Sequence, residues 1–372
     1  MAGTVRMSDV GKLAGVSTMT VSRVLNQHPN VRENVRKRVF AAIDQLRYQP
    51  NELARSLRTQ RSQQIGVLVP YLSDPFFALC ANAIGDVAKQ HGYSVMLATS
   101  NEDPQVEYDE ACRMLRQGME GFIIIPSHHG PEPSRLLAHT FEHFPIVSLD
   151  RPIEGSRFHS VLVENEQGAQ IGTKHLLGLG HKRIVWLGLS EDLFTMRLRK
   201  NGYAAAMTAE KLPVQTVTLS RSLEACRETM RTLFEGKRPP TAIFCANNLI
   251  TRHVLHSLRD MDIACPESVA LVGFDDFETA DLLRPAITVV RQPVELLGRT
   301  AAEMLFARLT GSNNAPSGRT SVLPVELVVR ESCGAHLRKN TPRKPSAVDD
   351  PYRESSPFTN TLAKVILKER SE

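Results

Sequence analysis

The sequence predicts an α+α/β protein: a small all-helical head at the N-terminus, followed by a larger α/β body of two similar subdomains. Two patterns predict this division. Apolar residues in the first 50 positions recur at helical spacing, whereas from residue 63 onward short apolar runs alternate with helical patterns. The chain of 372 residues is long enough for both parts, and its 42% apolar and 23% charged residues are ordinary for a globular protein.

The stretch VGKLAGVSTMTVSRVLN, residues 10–26, predicts two short helices joined by a tight turn. Apolar residues at i, i+3 and i+4 give each half one buried face. Between the halves, Gly15 can adopt the left-handed conformation that ends a helix, and Ser17 is a good N-cap for the next helix. Two helices joined by such a turn form a helix-turn-helix.

A third helix completes the core of this head, with an apolar stripe at Val35, Val39, Ile43 and Leu46. The outer face of the second helix then carries Thr18, Met19, Ser22 and Arg23. A face of this kind meets base edges in the major groove of DNA. Arg23 can bind a guanine bidentately, and Thr18 and Met19 can contact thymine methyl groups.

The charge of the chain is unevenly distributed. Residues 1–62 hold 11 Lys and Arg against 4 Asp and Glu, a net charge of +7. Residues 63–333 have a net charge of −5, and residues 334–372 have a net charge of +3. A basic head on a mildly acidic body is typical of a head that binds nucleic acid.

The segment YQPNELARSLRTQRS follows the third helix and predicts a short fourth helix. Pro50 prevents the third helix from continuing, and Asn51 caps a new helix that ends near Arg58. Such a short helix is marginal by itself, because nucleation costs more than its few hydrogen bonds return. Its composition suits a segment that folds on DNA, since Leu57 can wedge between base steps while arginines hold phosphates.

Seven apolar runs predict the strands of the body. They are IGVLVP (65–70), SVMLAT (94–99), GFIIIP (121–126), FPIVSL (144–149), KRIVWLG (182–188), TAIFCA (241–246) and SVALVGF (268–274). Continuous apolar strands separated by helices indicate parallel sheets covered on both faces. A body of about 270 residues is more than a single sheet usually supports, so we expect two subdomains.

The motifs DVGKLAGVSTMTVSRVLN, LRYQPNELARSLR and IGVLVP, in this order and spacing, resemble the lactose/galactose-repressor (LacI/GalR) family of bacterial transcription regulators. The resemblance continues to about Cys333. It implies a periplasmic-binding-protein-like fold for the body, with an effector-binding cleft between the subdomains. One departure is Arg32, where the family often caps the third helix with Ser, and Asn34 is then the expected cap.

The resemblance also implies how the head binds DNA. The first two residues of the recognition helix and an arginine one turn later read the half-site, and a hinge leucine opens the centre of a near-palindromic operator. The expected DNA-binding residues are Thr18, Met19, Ser22, Arg23, Asn26, Ala54, Leu57 and Arg58.

Polar residues lie just past several of the predicted strands, where ligands of parallel sheets bind. Each one alone is typical of a loop or a helix cap. Together with two aromatic residues they suit a polyhydroxylated or heterocyclic small molecule, and the resemblance places them at effector contacts: Phe76, Phe77, Asp150, Arg199, Asn247, Asp275 and Gln292. Three departures from the family leave the identity of the effector open. Asn248 and Glu164 stand where Asp is common, and Arg221 or Ser222 falls where a Trp usually stacks on the effector.

Other function classes find little support. The run HTFEH, residues 139–143, matches a zinc-protease pattern, but no third ligand is evident and we interpret it as a solvent-facing coincidence. Nucleotide-binding and serine-hydrolase motifs are absent, so neither a cofactor nor an enzymatic activity is expected. The six scattered cysteines, the lack of an apolar N-terminal run and the lack of a segment of ~20 apolar residues favour a cytoplasmic protein that does not cross a membrane.

The sequence therefore predicts a ligand-responsive regulator with four parts. These are a DNA-binding head (1–50), a hinge helix and linker (51–62), an effector-binding and dimerisation domain (63–333) and a disordered tail (334–372). The tail lacks the leucine heptads of a tetramerising coiled coil, so we expect a homodimer. The alternative is a small-molecule-binding module without DNA activity, which the basic head disfavours.

Overall fold

The computed structural model describes residues 5–25, 28–48, 61–127, 137–153, 155–311 and 318–338. Its helices are α1 (Met7–Ala14), α2 (Thr18–Leu25), α3 (Glu33–Leu46), α4 (Pro75–Gln90), α5 (Pro104–Arg116), α6 (Asn165–Gly178), α7 (Phe194–Ala209), α8 (Leu223–Glu235), α9 (Asn248–Asp260) and α10 (Val294–Leu309). Its strands are β1 (Gln64–Val69), β2 (Ser94–Thr99), β3 (Phe122–Ile124), β4 (Ile146–Leu149), β5 (His159–Val163), β6 (Ile184–Gly188), β7 (Gln215–Thr218), β8 (Ala242–Cys245), β9 (Ala270–Phe274), β10 (Thr288–Arg291), β11 (Thr320–Leu323) and β12 (Glu326–Val328).

Helices α1 to α3 form the head, and the predicted helix-turn-helix is confirmed. Gly15 ends α1 with a φ of 64°, a left-handed conformation that costs glycine little. The Ser17 hydroxyl accepts a hydrogen bond of 3.2 Å from the backbone N–H of Thr20, as an N-cap does. Val21 and Val39 are fully buried in the small core that the three helices share.

The predicted cap of α3 is wrong. The helix begins at Glu33, so Asn34 already lies in its first turn, and Arg32 occupies the N-cap position without a side-chain hydrogen bond. An arginine side chain offers no acceptor and cannot satisfy the free N–H groups of a first turn. The Arg32 carbonyl instead accepts backbone hydrogen bonds from Val35 and Arg36.

The body contains two six-stranded sheets with matching strand orders. The first sheet runs β11-β5-β4-β3-β1-β2, and the second runs β12-β10-β9-β8-β6-β7. All neighbouring strands pair in parallel except β10 and β12. Apart from the edge strands β11 and β12, the five remaining strands of each sheet have the doubly wound order, and ligands of such sheets bind beyond the carboxyl ends of the strands. The predicted pair of parallel α/β subdomains is confirmed.

The chain passes between the subdomains three times. It leaves the first after β5, returns to it between β10 and α10, and leaves it again between β11 and β12. Helices α4, α5 and α10 therefore cover the first sheet, whereas α6 to α9 cover the second. These crossings bring the carboxyl ends of strands from both sheets to one cleft.

Close packing of α6 against α7 positions the centre of this cleft. A Cβ atom at Gly202 of α7 would lie 2.0 Å from the carbonyl oxygen of Glu166, so only glycine allows the two helices to approach this closely. The approach brings Arg199, one turn before Gly202, to the first residue of α6, Asn165.

The last part of the described chain differs from the expected tail. Residues 335–338 form a 3-10 helix, in which Ala335 packs against the core of the second subdomain. Residues 339–372 lie outside the described residues, as does the predicted hinge helix.

Candidate functional site

The outer face of α2 is the first candidate site. Val21 and Val24 point into the core of the head, which leaves Thr18, Met19 and Arg23 exposed and Ser22 half-buried. Met19 is 65% exposed, although methionine is usually buried. The structure thus presents four predicted DNA-binding residues on one accessible helix face. The other predicted residues lie outside the described ones: Asn26, Ala54, Leu57 and Arg58.

Arg199 is the centre of the second candidate site, the cleft between the subdomains. Its Nε donates to Asn165 Oδ1 at 2.8 Å, and its Nη1 donates to the carbonyl oxygen of Ala246 at 2.7 Å and to Asp275 Oδ2 at 3.3 Å. The guanidinium also lies 3.7 Å from the ring centroid of Phe274. These contacts fix a buried arginine in one orientation.

Asp275 is fully engaged within the second subdomain. Besides the contact with Arg199, its Oδ1 accepts a hydrogen bond of 2.5 Å from Gln292 Nε2. Burial raises the pKa of Asp275, while Arg199 and Gln292 oppose the rise. Because a carboxylate can only accept, Gln292 must turn its amide nitrogen toward Asp275 and its oxygen away.

Asp150 is the corresponding carboxylate of the first subdomain, and its contacts are fewer. Its Oδ2 lies 3.4 Å from Arg151 Nε, but Arg151 is held mainly by two hydrogen bonds to Glu102, at 2.8 and 2.9 Å. Burial raises the pKa of Asp150 to about 6, against the opposing effects of Arg151 and Arg199. The influence of Arg199 on Asp150 shows that the two subdomains face each other here.

Two contacts join the subdomains across the cleft. Asn248 Nδ2 at the start of α9 donates to Asp74 Oδ1 at 2.9 Å, and Asp74 is itself the N-cap of α4. Nearby, the guanidinium of Arg221 lies 4.1 Å from the ring centroid of Tyr71. Sequence reasoning missed Asp74 and Tyr71, although an Asp at the N-cap followed by a Pro at the first helical position is a recognisable helix start.

Three buried side-chain oxygens in this cleft have no hydrogen-bond donor among the described residues. They are Asp150 Oδ1, Asn248 Oδ1 and Gln292 Oε1. Buried polar atoms are nearly always paired, so unpaired acceptors that gather in one cleft need an explanation. A ligand that brings several donors would satisfy all three.

The other predicted cleft residues lie in three different environments: a helix cap, a cavity wall and a subdomain core. Asn247 caps α9, since its Oδ1 accepts from the N–H of Ile250 at 2.9 Å. Phe76 lines a cavity of about 930 Å³ together with Asp275 and Gln292. Phe77 packs in the core of the first subdomain, edge-to-face with Phe76 at 5.4 Å between ring centroids, and is not among the residues that line this cavity.

The candidate zinc motif has no support in the structure. His139, Glu142 and His143 are exposed, as the sequence predicted. Within the described ranges no group of three His, Cys, Asp or Glu side chains is arranged to hold a metal ion. None of the described helices is long and apolar enough to span a membrane.

Comparison with known proteins places these sites in one family. Residues 6–51 match the model for bacterial regulatory proteins of the lacI family, and residues 173–333 match the periplasmic binding protein-like domain. The ribose operon repressor of Escherichia coli K12 is 31% identical over 310 residues, covering 82% of this chain and 93% of that protein. The chain belongs to the LacI family.

Other relatives agree with this assignment. The transcriptional repressor PurR of Photobacterium profundum is 29% identical over 329 residues, covering 88% of this chain and 98% of that protein. A crystal structure of the Lac repressor dimer bound to operator and an anti-inducer superposes with a TM-score of 0.79 at 26% identity, covering 89% of this chain and 99% of the other. A complex of the regulator CelR with cellobiose has a TM-score of 0.66 at 28% identity, covering 88% and 99%.

Membership of the LacI family confirms several predictions. The protein is a transcriptional regulator with a DNA-binding helix-turn-helix head and an effector-binding body, and it is not an enzyme. The individual site residues, which the family match does not test, stay predictions.

Proposed function

We propose that this LacI-family regulator is a repressor that binds a near-palindromic operator as a homodimer, under the control of a sugar or related polyhydroxylated metabolite. The three unpaired acceptors on Asp150, Asn248 and Gln292 carry the proposal for the effector. Hydroxyl groups are donors that can satisfy all three, and a sugar presents several hydroxyls in a fixed arrangement. The relatives named for ribose and cellobiose support the same class.

The effector site combines fixed and free groups. Arg199, Asp275 and Gln292 hold one another in place, and we assign them to the floor of the site. Asp150 supplies an acceptor that is not committed to the protein. Asn247, Phe76 and Phe77 complete the proposed set, with Phe76 at the cavity wall and Phe77 supporting it from the core.

The operator site comprises α2 and the hinge. We assign base contacts to Thr18, Met19, Ser22, Arg23 and Asn26 in the major groove, and minor-groove contacts to Ala54, Leu57 and Arg58. The head then spans 1–50, the hinge 51–62 and the effector-binding and dimerisation domain 63–333.

The hinge couples the effector to DNA binding in this proposal. Because a hinge helix is too short to be stable alone, a change in the distance between the two hinges of a dimer prevents them from folding on DNA. A coupling free energy of ~1–3 kcal/mol between the effector site and the operator site is enough for such control. We place the regulator in the cytoplasm, where the DNA is.

The effector is tested on the complex of the full-length protein with an operator selected from random DNA. Five- and six-carbon sugars and polyols are titrated while operator binding is followed by fluorescence anisotropy. At least one should change the operator affinity about 5- to 150-fold. If none does, and none raises the melting temperature of the protein, the proposed effector class is wrong.

The DNA-binding face is tested with Arg23→Ala, and Lys12→Ala is the matched control because Lys12 is an exposed cation on the neighbouring helix α1. Arg23→Ala should cost ~1–3 kcal/mol of discrimination per half-site between the selected operator and a scrambled one. Lys12→Ala should leave the discrimination unchanged. An equal loss on both DNAs for Arg23→Ala would show that Arg23 contacts only phosphate.

The hinge is tested with Leu57→Ala. Without the wedge, the operator should bend less in a permutation gel-shift assay and bind more weakly, while the three-helix head still finds its half-sites. The thermal transition of the body should not change. Unchanged bending and affinity would reduce the hinge to a tether, and an earlier melting of the body would place Leu57 in a core.

A further inference from the structure

Arg221 lies at the mouth of the effector cleft, on the loop between β7 and α8. Its guanidinium stacks on Tyr71 of the other subdomain, 4.1 Å from the ring centroid. Tyr71 is held in turn, because its hydroxyl donates to the carbonyl oxygen of Asn101 at 2.9 Å. The contact therefore fixes an arginine across the opening of the cleft.

This stacking occupies only the face of the guanidinium. A guanidinium carries five N–H donors around its edge, and these stay available when the face lies on an aromatic ring. Among the described residues Arg221 has no carboxylate within ion-pair distance, whereas Arg199 is paired with Asp275 and Arg151 with Glu102. Arg221 thus brings an uncompensated positive charge to the site.

The surroundings of Arg221 favour a negative charge as well. Ser222 is the N-cap of α8, so Arg221 stands directly before the positive end of a 13-residue helix. Glu224 in the first turn of α8 is paired with Arg227 at 3.1 Å. Arg252 on α9 adds a second cation nearby: burial and then the charges of Arg252 and Arg221 lower the pKa of His253, which favours its neutral form.

The floor of the cleft has the opposite character. It contains Asp74, Asp150 and Asp275, whose carboxylates all act on the buried thiol of Cys80, and it holds the three unpaired acceptor oxygens of the cleft. An anion would be repelled there, whereas hydroxyl groups are satisfied. A ligand that bears both kinds of group can bind in only one orientation.

We propose that the effector carries an anionic group, a phosphate or a carboxylate, at the end opposite to its hydroxyl groups, and that Arg221 binds this group at the cleft mouth. Arg221 thereby selects acidic or phosphorylated sugars against neutral ones. The inference rests on the proposed effector class and specifies it further.

The test is isothermal titration calorimetry of the full-length protein with matched ligands. The set holds ribose, ribose 5-phosphate and ribonate, and glucose, glucose 6-phosphate, gluconate and 6-phosphogluconate. We expect an anionic member to bind about 10-fold more tightly, or better, than its neutral parent. The phosphate and carboxylate members show which anion is bound, and added salt should weaken only the anionic members.

Substitutions test whether Arg221 causes the preference for anionic ligands. Arg221→Gln also removes the stacking on Tyr71, which weakens neutral and anionic members alike, so the variant should abolish the preference for the anionic member over its neutral parent, and Arg221→Lys should restore part of this preference. Arg231→Gln is the matched control, because Arg231 is exposed in the third turn of α8. A preference that survives Arg221→Gln overturns the inference.

Two further outcomes separate a failure of this inference from a failure of the proposed effector class. Tighter binding of the neutral members by the wild-type protein overturns the role of Arg221 and leaves the proposed effector class intact. Binding of no member, neutral or anionic, overturns both.

Discussion

The two subdomains place an aspartate at the same point of their folds, and the two aspartates differ in what surrounds them. Asp150 follows β4 and Asp275 follows β9, and these strands hold equivalent positions in the two sheets. Both residues have a left-handed backbone, with φ of 66° and 72°. The N–H of each donates to the neighbouring strand at 2.9 Å, to Val161 and Val290 respectively. The backbone turn is therefore the same.

The charges around the two carboxylates are different. Asp275 has Arg199 and Gln292 on its two oxygens, so its charge is balanced within the protein. The position after Asp150 holds Arg151, but this arginine is directed to Glu102, and none of the described residues donates a hydrogen bond to Asp150 Oδ1. One copy of the turn therefore holds a carboxylate in a buried ion pair, and the other holds a carboxylate with one unpaired oxygen. Aspartate tolerates the left-handed conformation, so the same backbone turn can present a carboxylate in both subdomains.

The largest expected effect comes from removing the balanced carboxylate. Asp275→Ala leaves Arg199 buried without its charge partner, although Asn165 and Ala246 still bind the guanidinium. Breaking a buried pair in this way should lower the free energy of unfolding by ~3 kcal/mol or more. Urea denaturation followed by circular dichroism measures the loss, and operator binding below the transition should stay near normal without responding to the effector.

Asp281→Ala is the control for this variant, because Asp281 is an exposed carboxylate on the loop after Asp275. It should unfold like the wild-type protein. An equal loss in both variants would mean that the loop, and not the Arg199 pair, determines the stability.

The second expected effect is a gain in stability, produced by Asp150→Asn. The pKa of Asp150 is raised from its ordinary value of 3.8 to about 6, so the folded protein holds this proton more tightly than the unfolded chain. The folded state therefore loses stability as the pH rises from about 4 to about 6, and the loss of ~3 kcal/mol is complete above that range. Asp150→Asn removes this charge, so it should stabilise the effector-free body at pH 7 and weaken effector binding.

The measurement is the difference in free energy of unfolding between Asp150→Asn and the wild-type protein, taken at a series of pH values. The difference should be small at pH 4 and should grow to a plateau above pH 6. Asp86→Asn, at an exposed position of α4, should give a difference independent of pH. A flat difference for Asp150→Asn as well would show that Asp150 is ionised and satisfied in the folded protein.

The smallest expected effect concerns the contact that joins the two subdomains. Asn248→Ala removes the hydrogen bond to Asp74 and also the Oδ1 acceptor that we assign to the effector, so it should cost ~1 kcal/mol for each, about 5-fold per contact in effector affinity. Asn248→Asp should cost more, because it places a second carboxylate against Asp74. Small-angle X-ray scattering can follow the opening, and an effector affinity unaffected by both variants would contradict a role in closure.

Much of this molecule follows from local patterns in the sequence. The turn at Gly15 and Ser17 is visible because a helix end and a helix start each depend on a few neighbouring residues. The seven strongest strands were predicted because they are continuous apolar runs, and Asp150, Asn247 and Asp275 were predicted because they follow such strands directly. Five strands were missed: β5, β7, β10, β11 and β12. Of these, β7, β11 and β12 are partly exposed sheet edges that need no long apolar run.

Only the tertiary structure decided which of these residues meet. The contacts of Asp74 with Asn248 and of Tyr71 with Arg221 join positions far apart in the chain, and they depend on how three crossings set one sheet against the other. The same holds for the unpaired oxygen of Asp150, because Arg151 is drawn to Glu102 by the packing of the first subdomain. A local pattern specifies which groups a strand end presents. Which of those groups is satisfied by the protein and which is left for a ligand depends on the charges that folding brings around it.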